Sequence, residues 1–226
     1  RRLHAQGRRV AIADLLTADA EALADELGGR GYACDVTDSE QVRSVVAAIE
    51  SDLGPVDVLV NCAGFDRFIR FVDTDEDFWD TIIDINYKGP LRTCHAVVPG
   101  MMERGGGRIV NFASDAARVG SSLESVYAGA KAGVIGFTKT IARESVKRGV
   151  TCNVVCPGPT ATTLIREMGE QGELPAKIVA GLDRAMPIGR MAQPHEIAYG
   201  ATVFTHDDAT LITGQTLSVS GGLTMA

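Results

Sequence analysis

The amino-acid sequence predicts a doubly wound α/β domain, in which helices cover both faces of a mostly parallel sheet. Short apolar segments rich in β-branched residues alternate with longer helical segments along the chain, and glycine, proline or aspartate bounds each apolar segment. Such near-continuous apolar strands are typical of a parallel sheet that is buried on both faces. The sequence contains no internal repeat and no linker, so we expect one domain over residues 1–226.

The predicted elements alternate in order along the chain. Strands are predicted at 8–14, 31–36, 56–64, 107–114, 150–158 and 214–222. Helices are predicted at 18–27, 39–53, 75–85, 91–104 and 126–148.

The segment 163–190 differs from the rest of the pattern. Its apolar residues recur at roughly helical spacing on both sides of GEQGELP, which predicts two short helices joined by a flexible turn. This pattern is typical of a mobile substrate lid over a cleft, and an ordinary helical insertion on the surface is the alternative.

The first residues, RRLHAQGRRVAIAD, are typical of a helix end that leads directly into a strand. In a dinucleotide-binding fold, the strand and glycine-rich turn that hold the pyrophosphate come just before this point. The sequence does not contain that turn. A chain that truly begins at Arg1 is therefore expected to lack the N-terminal strand and phosphate turn, to bind a dinucleotide very weakly and to expose an apolar sheet edge.

The composition favours a small-molecule substrate. A net charge of −7 and a pI near 5.1 argue against binding to nucleic acid or to an anionic membrane. No apolar run is long enough to span a bilayer, and charges occupy the N-terminus where a secretory peptide has its apolar stretch. We therefore expect a cytoplasmic protein.

The cysteines and histidines do not predict a metal site. The five cysteines fall mostly in apolar strand-like runs without zinc-ligand spacing, so they are interpreted as reduced core thiols. The four histidines are dispersed along the chain. These residues are Cys34, Cys62, Cys94, Cys152, Cys156, His4, His95, His195 and His206.

One set of polar residues forms a candidate catalytic site. Tyr127 and Lys131 lie four positions apart on a predicted helix, so their side chains share one face. Ser114 follows a predicted strand, whose carboxyl end faces the binding crevice of an open α/β sheet. Asn86 ends another helix, where its amide can bond a helix carbonyl or a trapped water. For the Tyr-Lys pair taken alone, an interface tyrosine and a solvated lysine are the ordinary alternative.

Together with NCAG at 61–64, CPGPTAT at 156–162 and ITGQTLSVSGG at 212–222, these residues resemble the short-chain dehydrogenase/reductase family. Each motif is weak alone, but their order and spacing are specific, and the resemblance covers essentially the whole chain. It implies an oxidoreductase that transfers a hydride between a nicotinamide cofactor and an alcohol or ketone, without a metal.

The resemblance implies a role for each of the four polar residues. Tyr127 is the general acid/base, and the positive charge of Lys131 is expected to lower its pKa, together with that of the oxidised nicotinamide. Lys131 also holds the nicotinamide ribose. Ser114 hydrogen-bonds the reacting oxygen, and Asn86 anchors a water that leads the proton to solvent.

Cofactor contacts are implied in the same way. Asp14 ends a strand, where a carboxylate accepts bonds from the adenosine ribose and repels a 2′-phosphate, which favours NAD over NADP; an aspartate that starts a turn or caps a helix is the alternative. Cys62 stands where the family usually has a second asparagine. The remaining implied contacts are Asp35 and Val36 beside the adenine, Asn61, Ala63 and Gly64 on the adenosine ribose side, and Pro157, Gly158 and Thr162 at the nicotinamide.

Three functions fit this pattern: an NAD-linked dehydrogenase of a hydroxyacyl thioester or similar alcohol, an NADP-linked 3-oxoacyl carrier-protein reductase, and a non-catalytic dinucleotide sensor or scaffold. The complete set of four polar residues disfavours the sensor, and Asp14 favours NAD. The stretches SDAARVGSS and LSVSGGLTM are similar to those of dehydrogenases that act on hydroxyacyl-CoA thioesters. Arg118, Arg166 and Lys177 are candidates to meet a CoA phosphate, with solvated surface charge as the alternative.

The two long helices predicted at 91–104 and 126–148 indicate self-association. They carry more apolar and small residues than one sheet face can cover. Members of the resembled family commonly pair these helices into dimers and join their C-terminal edges into tetramers. A symmetric homotetramer with two-fold axes is therefore expected.

Overall fold

The computed structural model describes residues 1–225 and confirms the predicted α/β class. Its strands, all at predicted positions, are β1 (Ala11–Asp14), β2 (Arg30–Ala33), β3 (Val58–Asn61), β4 (Gly107–Phe112), β5 (Val150–Pro157) and β6 (Thr216–Val219). Its helices are α1 (Arg2–Ala5), α2 (Thr17–Glu26), α3 (Ser39–Leu53), α4 (Glu76–Ile83), α5 (Gly89–Arg104), α6 (Ala116–Val119), α7 (Ser125–Ser145), α8 (Thr163–Gly169), α9 (Glu173–Ala185) and α10 (Pro194–Thr205). No helix within this described range is both long and apolar enough to cross a membrane.

The strands pair in parallel throughout, in two hydrogen-bonded sheets. One sheet contains β1 and β2, and the other has the order β3-β4-β5-β6. Parallel pairing places the carboxyl ends of neighbouring strands at the same edge. Asn61 at the end of β3 is therefore in register with Asn111 in β4.

Helices cover both faces of the four-stranded sheet. Ile109 and Val110 are consecutive residues of β4, so their side chains point to opposite faces. Ile109 packs in a core cluster with Val97 and Met101 of α5. Val110 packs in a second cluster with Phe204 of α10. Because both faces of the sheet are buried, its strands are mostly apolar, as predicted.

Caps explain why two helices begin where they do. Asp38 accepts hydrogen bonds from the backbone N–H groups of Glu40 and Gln41 at 2.8 and 3.0 Å, which starts α3 at the predicted residue. Asp75 accepts from Phe78 N at 2.9 Å and caps α4. Helix α4 ends at Ile83, earlier than predicted, because a π-helical turn follows it.

The segment predicted as two short helices does form them, as α8 and α9. The helices pack closely, since a Cβ added at Gly169 would lie 3.2 Å from Val179 Cγ2. The two ends of the segment are joined, because Ala161 N donates to the Ala192 carbonyl at 2.9 Å and Ala192 N donates to the Pro159 carbonyl at 2.9 Å. This arrangement is compatible with a hinged lid, and the lid role stays a prediction.

Candidate active site

The four predicted polar residues come together at the carboxyl edge of the sheet. Ser114 follows β4, and its hydroxyl is close enough to the phenol of Tyr127 in α7 to lower the pKa of that phenol. One turn further along, the Lys131 Nζ atom lies 5.7 Å from the centroid of the Tyr127 ring. A Cβ added at Gly64 would lie 3.1 Å from Asn86 Oδ1 and 3.4 Å from Lys131 Nζ, which joins Asn86 to the same site.

Asn86 lies in the π-helical turn Asp84–Lys88, and its side chain is fully buried. Its Nδ2 atom donates to the carbonyls of Ile82 at 2.9 Å and Phe65 at 2.7 Å, and its Oδ1 atom accepts from Phe65 N at 3.2 Å. The expected bond to a helix carbonyl is therefore present. Because both N–H donors are used on backbone carbonyls, only Oδ1 can take a further partner. Such π turns often occur at functional sites.

Lys131 is a buried cation in the second turn of α7. Its side chain is buried, and Nζ donates to the Phe112 carbonyl at 3.1 Å. Burial lowers the pKa of Lys131 to about 8, although Cys62, Asp66 and Cys156 act in the opposite direction. The ammonium therefore stays mostly charged at neutral pH.

The pKa of Tyr127 moves in the direction opposite to the one expected. Burial raises the pKa of the phenol, the carboxylates of Asp66 and Glu124 raise it further, and the hydroxyl of Ser114 lowers it only in part. Lys131 lies over the ring face at 5.7 Å from its centroid and does not offset these effects. Among the protein's own groups, Tyr127 thus holds its proton at neutral pH.

The sequence analysis missed Asp66, which contributes to this effect. Its side chain is 3 % exposed, and within residues 1–225 its Oδ2 atom has no hydrogen-bond partner. Burial, together with the negative charge of Glu124, raises the pKa of Asp66 to about 8. The available signal was an acidic residue two positions after Gly64, between Phe65 and Arg67 in the continuation of the cofactor motif.

Asn61 uses its side chain inside the fold, and its expected cofactor contact stays a prediction. Its Nδ2 atom donates to Asn111 Oδ1 at 2.8 Å, and its Oδ1 atom accepts from Thr93 Oγ1 at 2.7 Å. Asn111 in turn donates to Thr138 Oγ1 at 2.8 Å. This network joins β3, β4, α5 and α7. Any dinucleotide contact at Asn61 must therefore come from its backbone, since the side-chain amide is already paired.

The residues expected near the adenosine lie at strand ends. Asp14 is exposed at the end of β1, and its Oδ1 atom accepts from Leu16 N at 2.9 Å, so it shapes a turn and also faces solvent. Asp35 Oδ1 accepts from the backbone and hydroxyl of Thr37 at 2.8 and 2.7 Å. Val36 packs against Gly89, where a Cβ would come within 3.1 Å of Val36 Cγ2. These positions suit a dinucleotide, although the contacts stay predictions.

The residues expected at the nicotinamide also have structural roles. Pro157 pairs with Val219 at the end of β5. A Cβ at Gly158 would lie 2.8 Å from the Cβ of Ser220, so glycine is needed there for packing. Thr162 caps α8, because its hydroxyl accepts from the backbone of the first helical turn at 3.3 Å. Their cofactor contacts are not excluded by these bonds and stay predictions.

Ala63 and Gly64 form an open, exposed backbone segment beside Asn86 and Lys131. A side chain at Gly64 would fill the space between these two polar groups. The site therefore fits a dinucleotide whose ribose lies against the backbone at Gly64 and against Lys131.

One other expectation needs correction. All five cysteines are free thiols, but Cys62 is exposed and is therefore not a core residue. Of the three basic residues considered for a CoA phosphate, Arg118 is half-buried and donates to Ser218 Oγ at 2.7 Å, and the exposed Lys177 faces Glu173 at 3.7 Å; their contact with a CoA phosphate stays a prediction. Within residues 1–225, no group of three or more His, Cys, Asp or Glu side chains is arranged to hold a metal.

A parallel α/β fold with serine, tyrosine, lysine and asparagine at the carboxyl ends of its strands defines a class: the nicotinamide-dependent oxidoreductases. Comparisons with known proteins agree with this class. The family model described as enoyl-(acyl carrier protein) reductase matches residues 1–224. The chain belongs to the short-chain dehydrogenase/reductase family, and it is an NAD(P)-dependent enzyme that acts on CH–OH groups.

Three relatives show how broad the family resemblance is. D-threitol dehydrogenase of Mycolicibacterium smegmatis is 38% identical over 97% of this chain and 85% of its own length. The 3-oxoacyl-(acyl-carrier-protein) reductase FabG of Escherichia coli is 36% identical over 99% of this chain and 90% of its own length. The short-chain reductase protein NovJ of Streptomyces niveus is 36% identical over 98% of this chain and 86% of its own length. Their different names leave the substrate of this chain open.

Proposed function

We propose that this enzyme interconverts a secondary alcohol and a ketone with NAD, on a hydroxyacyl-CoA type of substrate. The observation that carries the proposal is the convergence of Ser114, Tyr127, Lys131 and Asn86 at one edge of the sheet. When bound, the nicotinamide supplies the acceptor or donor of the hydride. The other steps fall to the side chains of this chain.

Tyr127 moves the proton. Its raised pKa keeps the proton on the phenol at neutral pH, so the protein's own groups suit it to donate a proton to the oxygen of a ketone. In the oxidative direction it receives the proton of the alcohol, which requires additional positive charge near the phenol. Ser114, whose hydroxyl acts on the phenol, orients the reacting oxygen. Both roles require the substrate oxygen to lie between these two hydroxyls.

Lys131 and Asn86 support that proton transfer. Lys131 is anchored to the Phe112 carbonyl, and an ammonium has three N–H donors, so further donors are available for ribose hydroxyls. Asn86 fixes the backbone at Phe65 and can hold a water only through Oδ1. We propose that such a water leads the proton from Lys131 to solvent.

Asp14 supports NAD over NADP. Its carboxylate is exposed at the end of β1, where it would accept bonds from ribose hydroxyls and repel a 2′-phosphate. The alternative is an NADP-dependent 3-oxoacyl carrier-protein reductase, for which the E. coli relative is the precedent. A non-catalytic sensor or scaffold is a further alternative, and the assembled polar set argues against it.

Initial-rate assays of the full-length protein with NAD and NADP test the function. The substrates are hydroxyacyl-CoA esters, simple secondary alcohols and the corresponding ketones. We expect the highest kcat/KM for a hydroxyacyl-CoA ester with NAD. A clear preference for NADPH and a 3-oxoacyl carrier-protein thioester would establish the alternative, and dinucleotide binding without turnover of any substrate would support the sensor.

We further propose a symmetric homotetramer in the cytoplasm. A mostly apolar groove of about 520 Å³ lies between α3, α5 and α7, away from Tyr127, and its walls include Leu91, Val98, Phe137 and Ile141. Helix pairing between two copies would cover this groove. The five free thiols support a reducing compartment. Light scattering at micromolar concentration tests the assembly, and a monomeric mass would refute it.

A further inference from the structure

Ser114 is held in two ways, through its main chain and through its hydroxyl. Backbone hydrogen bonds of 2.9 and 3.0 Å to β5 hold the residues on either side of it, Ala113 and Asp115. Its hydroxyl oxygen accepts from Ala116 N, at the start of α6, at 3.2 Å. A hydroxyl has one proton to donate, and because its oxygen already accepts from α6, that proton points away from α6. The direction of the Ser114 proton therefore depends on where α6 lies.

Ser218 of β6 holds α6 at two points. Its hydroxyl donates to Asp115 Oδ1, just before the helix, and its oxygen accepts from Arg118 Nη1, within the helix, at 2.7 Å. The hydroxyl of Ser218 is thus used once as a donor and once as an acceptor, which fixes its orientation. These three side chains form the Ser218 network. The last strand of the sheet therefore sets the position of α6 relative to Ser114.

The Ser218 network lies next to the segment predicted at the nicotinamide. Ser218 is in register with Cys156 of β5. Asp115 N donates to the carbonyl of Pro157, the next residue along β5, and Pro157 is one of the predicted nicotinamide contacts. The network therefore lies at the carboxyl edge of the sheet, where cofactor and substrate are expected to meet.

Stability alone does not explain the Ser218 network. Asp115 is 2 % exposed, and within residues 1–225 its Oδ2 atom has no hydrogen-bond partner. A buried polar network that is only partly paired is costly, and apolar side chains often stabilise such a position as well or better. What the network supplies is direction, because its hydroxyl and guanidinium donate and accept at preferred angles.

We propose that Ser218, with Asp115 and Arg118, is a positioning residue that directs the Ser114 hydroxyl toward the reacting oxygen of the substrate. The inference rests on the proposed role of Ser114 in the interconversion of alcohol and ketone, and it does not depend on the thioester. Ser218 acts through α6 and Ser114. Its loss is therefore expected to change turnover and not the affinity for the dinucleotide.

Three variants of the full-length protein test this with NAD and a simple secondary alcohol. Ser218→Ala removes the hydroxyl that holds α6, so kcat per folded molecule should fall about tenfold or more. Ser218→Thr keeps the hydroxyl and should restore most of that loss. Thr216→Val is the matched control, because Thr216 lies on the same strand and face and has a buried hydroxyl without a partner within residues 1–225. By calorimetry, the dinucleotide Kd should stay within about twofold of wild type in all three.

The pH dependence of oxidation separates positioning from a loss of folding. The Ser114 hydroxyl lowers the pKa of Tyr127. Because oxidation requires Tyr127 to accept a proton, displacement of Ser114 should move the rising limb of kcat/KM to higher pH in Ser218→Ala, by about half a unit or more. A protein that is only less stable would lose rate without this shift. The other groups that act on the phenol or lie over its ring are left in place in all three variants, and they are Asp66, Glu124, Cys156 and Lys131.

A wild-type kcat and pH profile in Ser218→Ala would overturn the proposal, and so would an equal loss in Ser218→Ala and Thr216→Val. If Ser218→Ala does not fold, Arg118→Met is used, because it removes one bond of the network and leaves the bond between Ser218 and Asp115 in place. The same shift in pH profile is then expected, and an unchanged profile would refute the proposal. The simple alcohol is chosen because Arg118 is also a candidate for a CoA phosphate.

Crystal structures of the variants measure positioning without activity. The hydrogen bond of 3.2 Å between Ala116 N and Ser114 Oγ should be kept in Thr216→Val and lost in Ser218→Ala. If wild type turns over no alcohol or ketone while this bond is lost only in Ser218→Ala, the proposed function fails and the positioning role stands. If the bond and the place of α6 are unchanged in Ser218→Ala, the positioning role is refuted whatever the activity.

Discussion

Two polar clusters, each partly or fully buried, meet α7 and differ in how completely they are paired. In the first, every side chain has a partner within the protein, at distances of 2.7 to 2.8 Å. In the second, two pKa values are raised, one is lowered, and one buried oxygen has no partner among residues 1–225. The first consists of Thr93, Asn61, Asn111 and Thr138, and the second consists of Asp66, Glu124, Tyr127 and Lys131.

The difference separates a structural role from a chemical one. A paired network contributes stability because breaking it leaves a buried donor or acceptor without a partner. In the second cluster, burial and neighbouring charges shift the pKa values of Asp66, Tyr127 and Lys131, and such shifts are a feature of functional sites. Neighbouring polar residues of one sheet edge are therefore expected to respond to substitution in opposite ways, one set through folding and the other through turnover.

The largest expected effect is on turnover. Tyr127→Phe removes the proton donor but little volume, so it should retain the fold and dinucleotide binding and lower kcat about a hundredfold or more. Tyr199→Phe is the matched control, because Tyr199 is exposed on α10. Steady-state kinetics and calorimetry check both variants, and near-normal turnover in Tyr127→Phe would remove Tyr127 from its assigned role.

The next largest effect is a loss of folding stability in the first, fully paired cluster. Asn111→Leu leaves the Asn61 amide without its acceptor and Thr138 without its donor, so the free energy of unfolding should fall by about 2 kcal/mol. The kcat per folded molecule should stay close to that of wild type. Urea denaturation and active-site titration test this. A large loss of kcat with unchanged stability would reverse the roles given to the two clusters.

Cofactor choice tests a residue outside both clusters. Full-length protein should prefer NAD over NADP by about tenfold or more, and Asp14→Ala should narrow that gap, because a repulsion at the 2′-phosphate and a ribose bond are both lost. Asp19→Ala, in the first turn of α2, is the control. The measurement is the ratio of kcat/KM with NAD to kcat/KM with NADP. An unchanged ratio in Asp14→Ala would contradict the place of Asp14 in the cofactor site.

The smallest effect is a pH dependence of stability. The pKa of Asp66 is raised to about 8, so the folded state binds its proton more tightly than the unfolded state, and its contribution to stability is lost as pH rises from about 4 towards 8. Glu124, Tyr127 and Lys131 are the titratable groups that act with it. Asp66→Asn should therefore lose less stability than wild type over this range, measured as urea midpoints, and parallel pH profiles would contradict the assignment.

The sequence predicted the strands and the main helices because their signals are local. Asp38 and Gly54 bound α3, for example, and both are visible in the chain as a cap and a terminating glycine. The predicted convergence of Ser114, Tyr127 and Lys131 also needed only a strand end and a helix period.

The parts that could not be predicted depend on contacts between distant residues. The role of Asn61 is set by Asn111, fifty positions away. The Asn86 side chain donates to the backbone of Phe65, and the loop that contains Asp66 is joined at Ile69 to Leu123, over fifty positions away. The raised pKa of Tyr127 among the protein's own groups could not be predicted for the same reason, because it follows from burial and two carboxyl groups that the motif does not show.

Transfer of a label from substrate to cofactor tests the central claim most directly. A secondary alcohol that carries deuterium on its carbinol carbon is incubated with full-length protein and NAD, and the reduced cofactor is analysed by mass spectrometry. The account predicts that wild type and Tyr199→Phe transfer the deuterium. Tyr127→Phe should transfer it at a rate at least about a hundredfold lower. Transfer at the wild-type rate by Tyr127→Phe, or no transfer by wild type from any alcohol tested, would contradict it.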